Sequence, residues 1–184
     1  MAMTECSGVS EIIRAQVRDI PDHPTPGVLF KDITPLLADA EAFAAVVEAF
    51  AAPYRDGANG GPVDVVVGIE ARGFILAAPV AIALGAGFVP FRKQGKLPHV
   101  TVGAAYELEY GSAEIEAHAD GISAGQRVLV VDDVLATGGT AEAACDLVEQ
   151  LGGVVVGLDV LMELSALAGR SKVEGRPLRA LSIV

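Results

Sequence analysis

The chain has 184 residues, close to one domain at roughly 150 residues per domain, and it is 52% apolar and 20% charged, which excludes a disordered or low-complexity protein. A net charge of −11 argues against nucleic acid, where affinity comes from Lys and Arg neutralising phosphates, and against an anionic membrane surface. Two cysteines, Cys6 and Cys145, are too few and too far apart for a zinc site or a disulfide framework, and read as reduced thiols of a cytoplasmic protein.

Val9, Ile12, Ile13 and Val17 recur at helical spacing near the start, in a segment with no apolar core that could serve as a signal peptide. Pro21, Pro24, Pro26 and Gly27 end that helix, and Val28, Leu29 and Phe30 make a short extended run. Asp39 is placed to cap a helix burying Phe43, Val46, Val47 and Phe50, and 53–62, rich in Pro and Gly, reads as a surface loop. From there strand and helix alternate: a strand at 63–67, a helix up to Gly85, a strand at 87–91, a strand at 127–131, a helix at about 140–151 and a strand at 154–161. These strands are apolar throughout, as they are when helices cover both faces of a mainly parallel α/β sheet. Residues 73–91 carry no charge and could just reach across a bilayer, but Pro79, Gly85, Gly87 and Pro90 break them into a helix and a strand. Residues 100–119 alternate polar with apolar and read as a half-exposed antiparallel excursion. His23, His99 and His118 read as exposed or loop residues without a carboxylate partner.

The run VLVVDDVLATGGT at 128–140 carries most of the chemistry. An apolar strand enters two carboxylates, Asp132 and Asp133, then a small-residue loop, then a helix start. Ala136, Thr137, Gly138, Gly139 and Thr140 can turn several backbone N–H groups toward an anion at a helix N-terminus, with the Thr hydroxyls as further donors. The loop lacks the Gly-Lys-Ser/Thr end of a Walker A sequence, and no G-x-G-x-x-G follows a strand, so neither nucleotide hydrolysis nor dinucleotide binding has support. The two acids read either as a solvated strand end or as acceptors for a polyhydroxyl substrate with a divalent cation nearby. Adjacent strand residues point to opposite faces, so the chain has to leave β geometry near Asp133 if both are to reach one ligand.

That run resembles the phosphoribosyl-pyrophosphate (PRPP) motif of type I phosphoribosyltransferases. Four further blocks, PTPGVLFKDIT at 24–34, GIEARGF at 68–74, RKQGKLP at 92–98 and LEYG at 108–111, are similar to the adenine-using branch of that family, in its order and over nearly the whole chain. The resemblance implies the type I phosphoribosyltransferase fold as one domain over 1–184, with a small N-terminal hood at 1–35 and a mobile lid at about 92–111. It also implies a homodimeric, Mg2+-dependent enzyme of purine salvage converting adenine and PRPP to AMP and pyrophosphate.

Asp132 and Asp133 would contact the ribose hydroxyls and 136–140 the 5′-phosphate. Glu70, Ala71 and Arg72, with a cis peptide between Glu70 and Ala71, would meet the pyrophosphate together with Arg92, Lys93 and Lys96, which put three positive charges into a strongly acidic chain. A lid of this kind keeps water from a reactive ribosyl cation. Glu109 would be the catalytic carboxylate, with Tyr110 beside it. Phe30 would stack on adenine while backbone groups of Leu29 and Lys31 read its edge. Lys31 stands where many relatives have Arg, and Gln94 where they have a basic residue or Pro. Two alternatives stay open here: a transferase for xanthine or another 6-oxopurine, and a PRPP-sensing regulator.

Overall fold

The computed structural model describes residues 5–55, 61–108 and 111–184. Helix α1 (Glu5–Gln16) leads into a two-stranded antiparallel ribbon, β1 (Arg18–Ile20) and β2 (Phe30–Asp32), in which Asp19 faces Lys31. The extended run expected at 28–30 lies further along the chain, with Val28 and Leu29 outside the strand and exposed. Strand β1 leaves no trace in the apolar pattern because Arg18 and Asp19 make it charged.

Helix α2 (Thr34–Ala38), unforeseen in the sequence, precedes α3 (Ala40–Arg55). Asp39 caps α3 as expected, its Oδ1 accepting the N–H groups of Glu41 and Ala42 at 3.0 Å each. Val46 and Phe50 of α3 are fully buried. The helix continues through Pro53, where a loop was expected. A proline there has no N–H for the Ala49 carbonyl, and Arg179 supplies the donor instead, Nη1 to Ala49 O at 2.8 Å and Nη2 to Phe50 O at 3.0 Å.

The remainder runs β3 (Val65–Ile69), α4 (Arg72–Leu84), β4 (Gly87–Lys93), β5 (Thr101–Leu108), β6 (Gly111–His118), β7 (Arg127–Leu135), α5 (Gly139–Gln150) and β8 (Val154–Glu163). Two 3₁₀ turns, Ser165–Leu167 and Gly169–Val173, then lead to β9 (Leu178–Ile183). One seven-stranded sheet has the order β5-β6-β4-β3-β7-β8-β9. Strands β4, β3, β7, β8 and β9 are parallel; β6 runs antiparallel to β4, and β5 to β6. The mainly parallel sheet and its antiparallel excursion are those expected.

Alternate residues of each strand feed two cores. Val66, Leu129 and Val131 pack with α1, α3 and α4, while Val65, Val67, Val128 and Val130 pack with α5. Strand β9 escapes the sequence reading because Arg179 and Ser182 interrupt its apolar residues. His118 is a correction: it lies within β6, half-buried, its ring 6.1 Å from that of His99. Cys145 is free and buried, and burial pushes its thiol up to about 12; the Cys6 side chain lies outside the described residues. Among the described residues no helix is long and apolar enough to cross a membrane.

Candidate functional site

Two loops leave the carboxyl ends of the neighbouring parallel strands β3 and β7, the place where open α/β sheets bind ligands. Strand β7 delivers the chain into 136–140, and α5 starts at once. Gly138 is the N-cap, with a left-handed φ of 86° and no side-chain hydrogen bond on the helix end. Its carbonyl accepts the Glu142 N–H at 2.8 Å, closing the first turn. The backbone donors ahead of that turn are therefore uncapped, at the end of the helix dipole that favours an anion. They open on a pocket of about 80 Å³ lined by Asp132 and 134–141. Its lining of main-chain donors and Thr hydroxyls suits an oxyanion.

The chain does not leave β geometry near Asp133. Strand β7 continues to Leu135, pairing Asp132 with Val160 and Leu135 with Glu163 on β8. The two carboxylates nevertheless stay in contact with each other: Asp132 lines the pocket, while Asp133, 5% exposed, also reaches the first residue of α4. Arg72 Nη2 lies 2.8 Å from Asp133 Oδ2. Asp132 Oδ1 accepts the Asp133 N–H at 2.9 Å. Burial raises the Asp132 carboxyl well above the usual range, and the neighbouring Asp133 charge adds to this. Burial also raises Asp133, against the pull of Arg72. Gly73 makes this junction possible, since a Cβ there would stand 2.8 Å from Asp132 Oδ1.

The Glu70–Ala71 peptide is cis. Arg72, just after it, reaches back to the ribbon: Nη1 donates to the Lys31 carbonyl at 2.9 Å, and Cζ sits 4.8 Å from the centre of the Phe30 ring. His23 meets the same ring edge-on at 5.0 Å. Phe30, Lys31, Arg72 and Asp133 thus form one connected group, with Leu29 48% exposed beside it. The Lys31 ammonium points elsewhere, to Asp19 at 2.7 Å.

The basic run at 92–96 is gathered by one carboxylate, that of Glu70, which the sequence reading set against the pyrophosphate. Glu70 pairs with Lys96, takes the Lys93 N–H at 3.0 Å and lies 3.4 Å from Arg92 Nε. Burial opposes ionisation of Glu70, yet these donors together hold its carboxyl below the usual range. The signal was present in the topology: β3 and β4 are parallel with Ile69 opposite Phe91, which sets Glu70 beside Arg92. Arg92 Nη1 donates to the Lys96 carbonyl at 3.1 Å, and Gly95 N–H to Glu116 at 2.9 Å. Leu108 pairs with Gly111 across the β5–β6 connection; Glu109 and Tyr110 lie outside the described residues.

The phosphoribosyl transferase domain family matches residues 36–184. An adenine phosphoribosyltransferase of Streptomyces coelicolor is 58% identical over 187 residues, spanning 99% of this chain and 100% of that protein. The crystal structure of adenine phosphoribosyltransferase from Rhodothermus marinus superposes with a TM-score of 0.90 at 46% identity, covering 97% of this chain and 99% of that one. The Saccharomyces cerevisiae adenine phosphoribosyltransferase, solved with an imino-altritol bisphosphate and adenine, has a TM-score of 0.90 at 39% identity, covering 95% of this chain and 99% of its own.

Proposed function

The chain belongs to the adenine phosphoribosyltransferase family, and from that premise we infer that it joins adenine to the phosphoribosyl group of PRPP, releasing AMP and pyrophosphate in purine salvage. The observation that carries this reading is the uncapped turn at 136–140 with Asp132 on its wall.

In this reading the N–H groups of 136–140 and the hydroxyls of Thr137 and Thr140 hold the 5′-phosphate. Asp132 takes the ribose diol directly, and Asp133 joins it when its contact with Arg72 is exchanged for substrate. Adenine stacks on Phe30, displacing the guanidinium that now covers the ring, and backbone groups of Leu29 and Lys31 read its edge. The backbone of Glu70 and Ala71, with Arg72, Arg92, Lys93 and Lys96, receives the diphosphate. The bond from the sugar to diphosphate breaks ahead of bond formation to adenine, so the sugar passes through a cation-like state. Fixed cations on the leaving group and carboxylates near the sugar are the electrostatic stabilisation that contributes most in such reactions. By the same resemblance Glu109, with Tyr110 beside it, takes adenine's proton or supports the sugar cation.

Mg2+ is the cofactor of this reading. No group of three or more His, Cys, Asp and Glu side chains gathers among the described residues, and a lone carboxylate pair fits an ion carried mainly on substrate phosphates and water. Bound there, it neutralises charge on the diphosphate. The rest of the reading is a cytoplasmic homodimer built from one domain, with 1–35 as the hood and about 92–111 as the lid. The apolar surface of α4, where Ile82 is 83% and Ile75 44% exposed, supports the dimer.

The test is a product assay with PRPP, Mg2+ and each of adenine, hypoxanthine, guanine and xanthine, repeated in chelator. AMP formation confined to adenine and lost with chelator is expected. A comparable rate of IMP or XMP formation overturns the base assignment, and tight PRPP binding without any product restores the sensor alternative.

A further inference from the structure

Behind the phosphate turn lies a second layer of backbone. After β8 ends at Glu163 the chain doubles back through Ala168, which has a left-handed φ of 52°, and sets the turn Gly169–Val173 against 136–138. The approach is close on both sides. A Cβ on Gly169 would strike the Ala136 carbonyl oxygen and stand 2.9 Å from the Gly138 nitrogen; a Cβ on Gly138 would strike the Gly169 carbonyl oxygen. Displacing Gly169 would therefore open space directly behind the phosphate turn.

Two anchors hold this layer. Val173, 1% exposed, is embedded in the core beneath α5. At the other end Arg170 grips Glu163 bidentately, Nη2 to Oε2 at 2.5 Å and Nε to Oε1 at 3.1 Å. Glu163 is 6% exposed and sits opposite Leu135, the last residue before the turn; the next residue, Leu164, donates its N–H to the Leu135 carbonyl at 2.9 Å. Glu163 is thus registered to one end of the phosphate turn, and Arg170 follows the glycine that touches its middle.

We propose that Glu163 and Arg170 are positioning residues for the transfer reaction, a latch that presses Gly169 against 136–138 and holds its N–H donors on the 5′-phosphate. This rests on reading 136–140 as the phosphate grip. The readout is the ratio of AMP to adenosine affinity, which isolates the phosphate, measured by competition for the wild type, Arg170→Ala, Arg170→Lys and Glu163→Gln. Arg170→Ala lowers that ratio by about tenfold or more, because small displacements of positioned donors are costly. Adenosine affinity stays within about twofold, and Arg170→Lys recovers part of the loss. If Arg170→Ala does not fold, the near-isosteric Glu163→Gln is read in the same way. A ratio unchanged in these variants, or one that falls only with adenosine binding, overturns the latch. A wild-type ratio near one instead overturns the phosphate grip itself.

Discussion

Arg72 joins the two halves of the site: its Nη2 stands 2.8 Å from Asp133 Oδ2 while its Nη1 donates to the Lys31 carbonyl at 2.9 Å. The same guanidinium lies over Phe30. A planar fork can make these three contacts together; an ammonium is a single point charge on a flexible stem. Arg72→Lys is expected to lower kcat/KM for adenine by about 10²-fold, measured with adenine varied at saturating PRPP. An unchanged value removes Arg72 from the transfer reaction.

The acid pair carries a stability cost with a definite pH dependence. Burial and the Asp133 charge raise the Asp132 carboxyl, so the folded chain keeps that proton where the unfolded chain has released it. The penalty for ionising Asp132 is absent below its ordinary value of 3.8 and complete above its raised native value, so stability falls as pH rises through that window. Asp132→Asn keeps the acceptor for the Asp133 N–H and removes the charge. Its Tm should exceed that of the wild type, with the gap widening as pH rises above 3.8 by about 2–4 °C for each kcal/mol relieved, while transferase activity is lost. A gap that narrows as pH rises contradicts the sign.

Gly138 offers a test confined to the phosphate turn. Its φ of 86° is unfavourable for any side chain, and a Cβ would also meet the Gly169 carbonyl oxygen and stand 2.9 Å from Lys172 Cβ. Gly138→Ala should raise KM for PRPP by about 10²-fold, with a folded far-UV spectrum retained. A normal KM would show that the turn does not hold the phosphate.

What could be read from residues alone follows from physics that is local in sequence. The strand at 127–131 shows in an unbroken apolar run because both faces of the parallel sheet are covered, and the turn after it shows because small residues must stand where Gly138 bends. The continuation of β7 through Asp132 and Asp133 did not show, because it depends on β8 holding β7 in register as far as Leu135. The Glu163–Arg170 pair was equally invisible: it closes across an irregular turn that has no periodic pattern. Glu70 was singled out as a pyrophosphate-binding residue, and its role as acceptor for Arg92, Lys93 and Lys96 emerges only when β3 and β4 lie side by side.

Glu70 also makes the role of the basic run at 92–96 testable. In the free enzyme its carboxylate engages the cations assigned to the leaving diphosphate, with Lys96 paired directly and Arg92 Nε at 3.4 Å. Diphosphate must compete with it for those partners. Glu70→Gln keeps an acceptor for the Lys93 N–H but withdraws the competing charge. Pyrophosphate should then inhibit the forward reaction about three- to tenfold more tightly, the scale of a partly screened ion pair, and the difference should shrink as ionic strength rises. Product-inhibition constants at two salt concentrations decide the matter. Weaker inhibition in Glu70→Gln would mean that Glu70 holds the cations in place for diphosphate instead of competing for them.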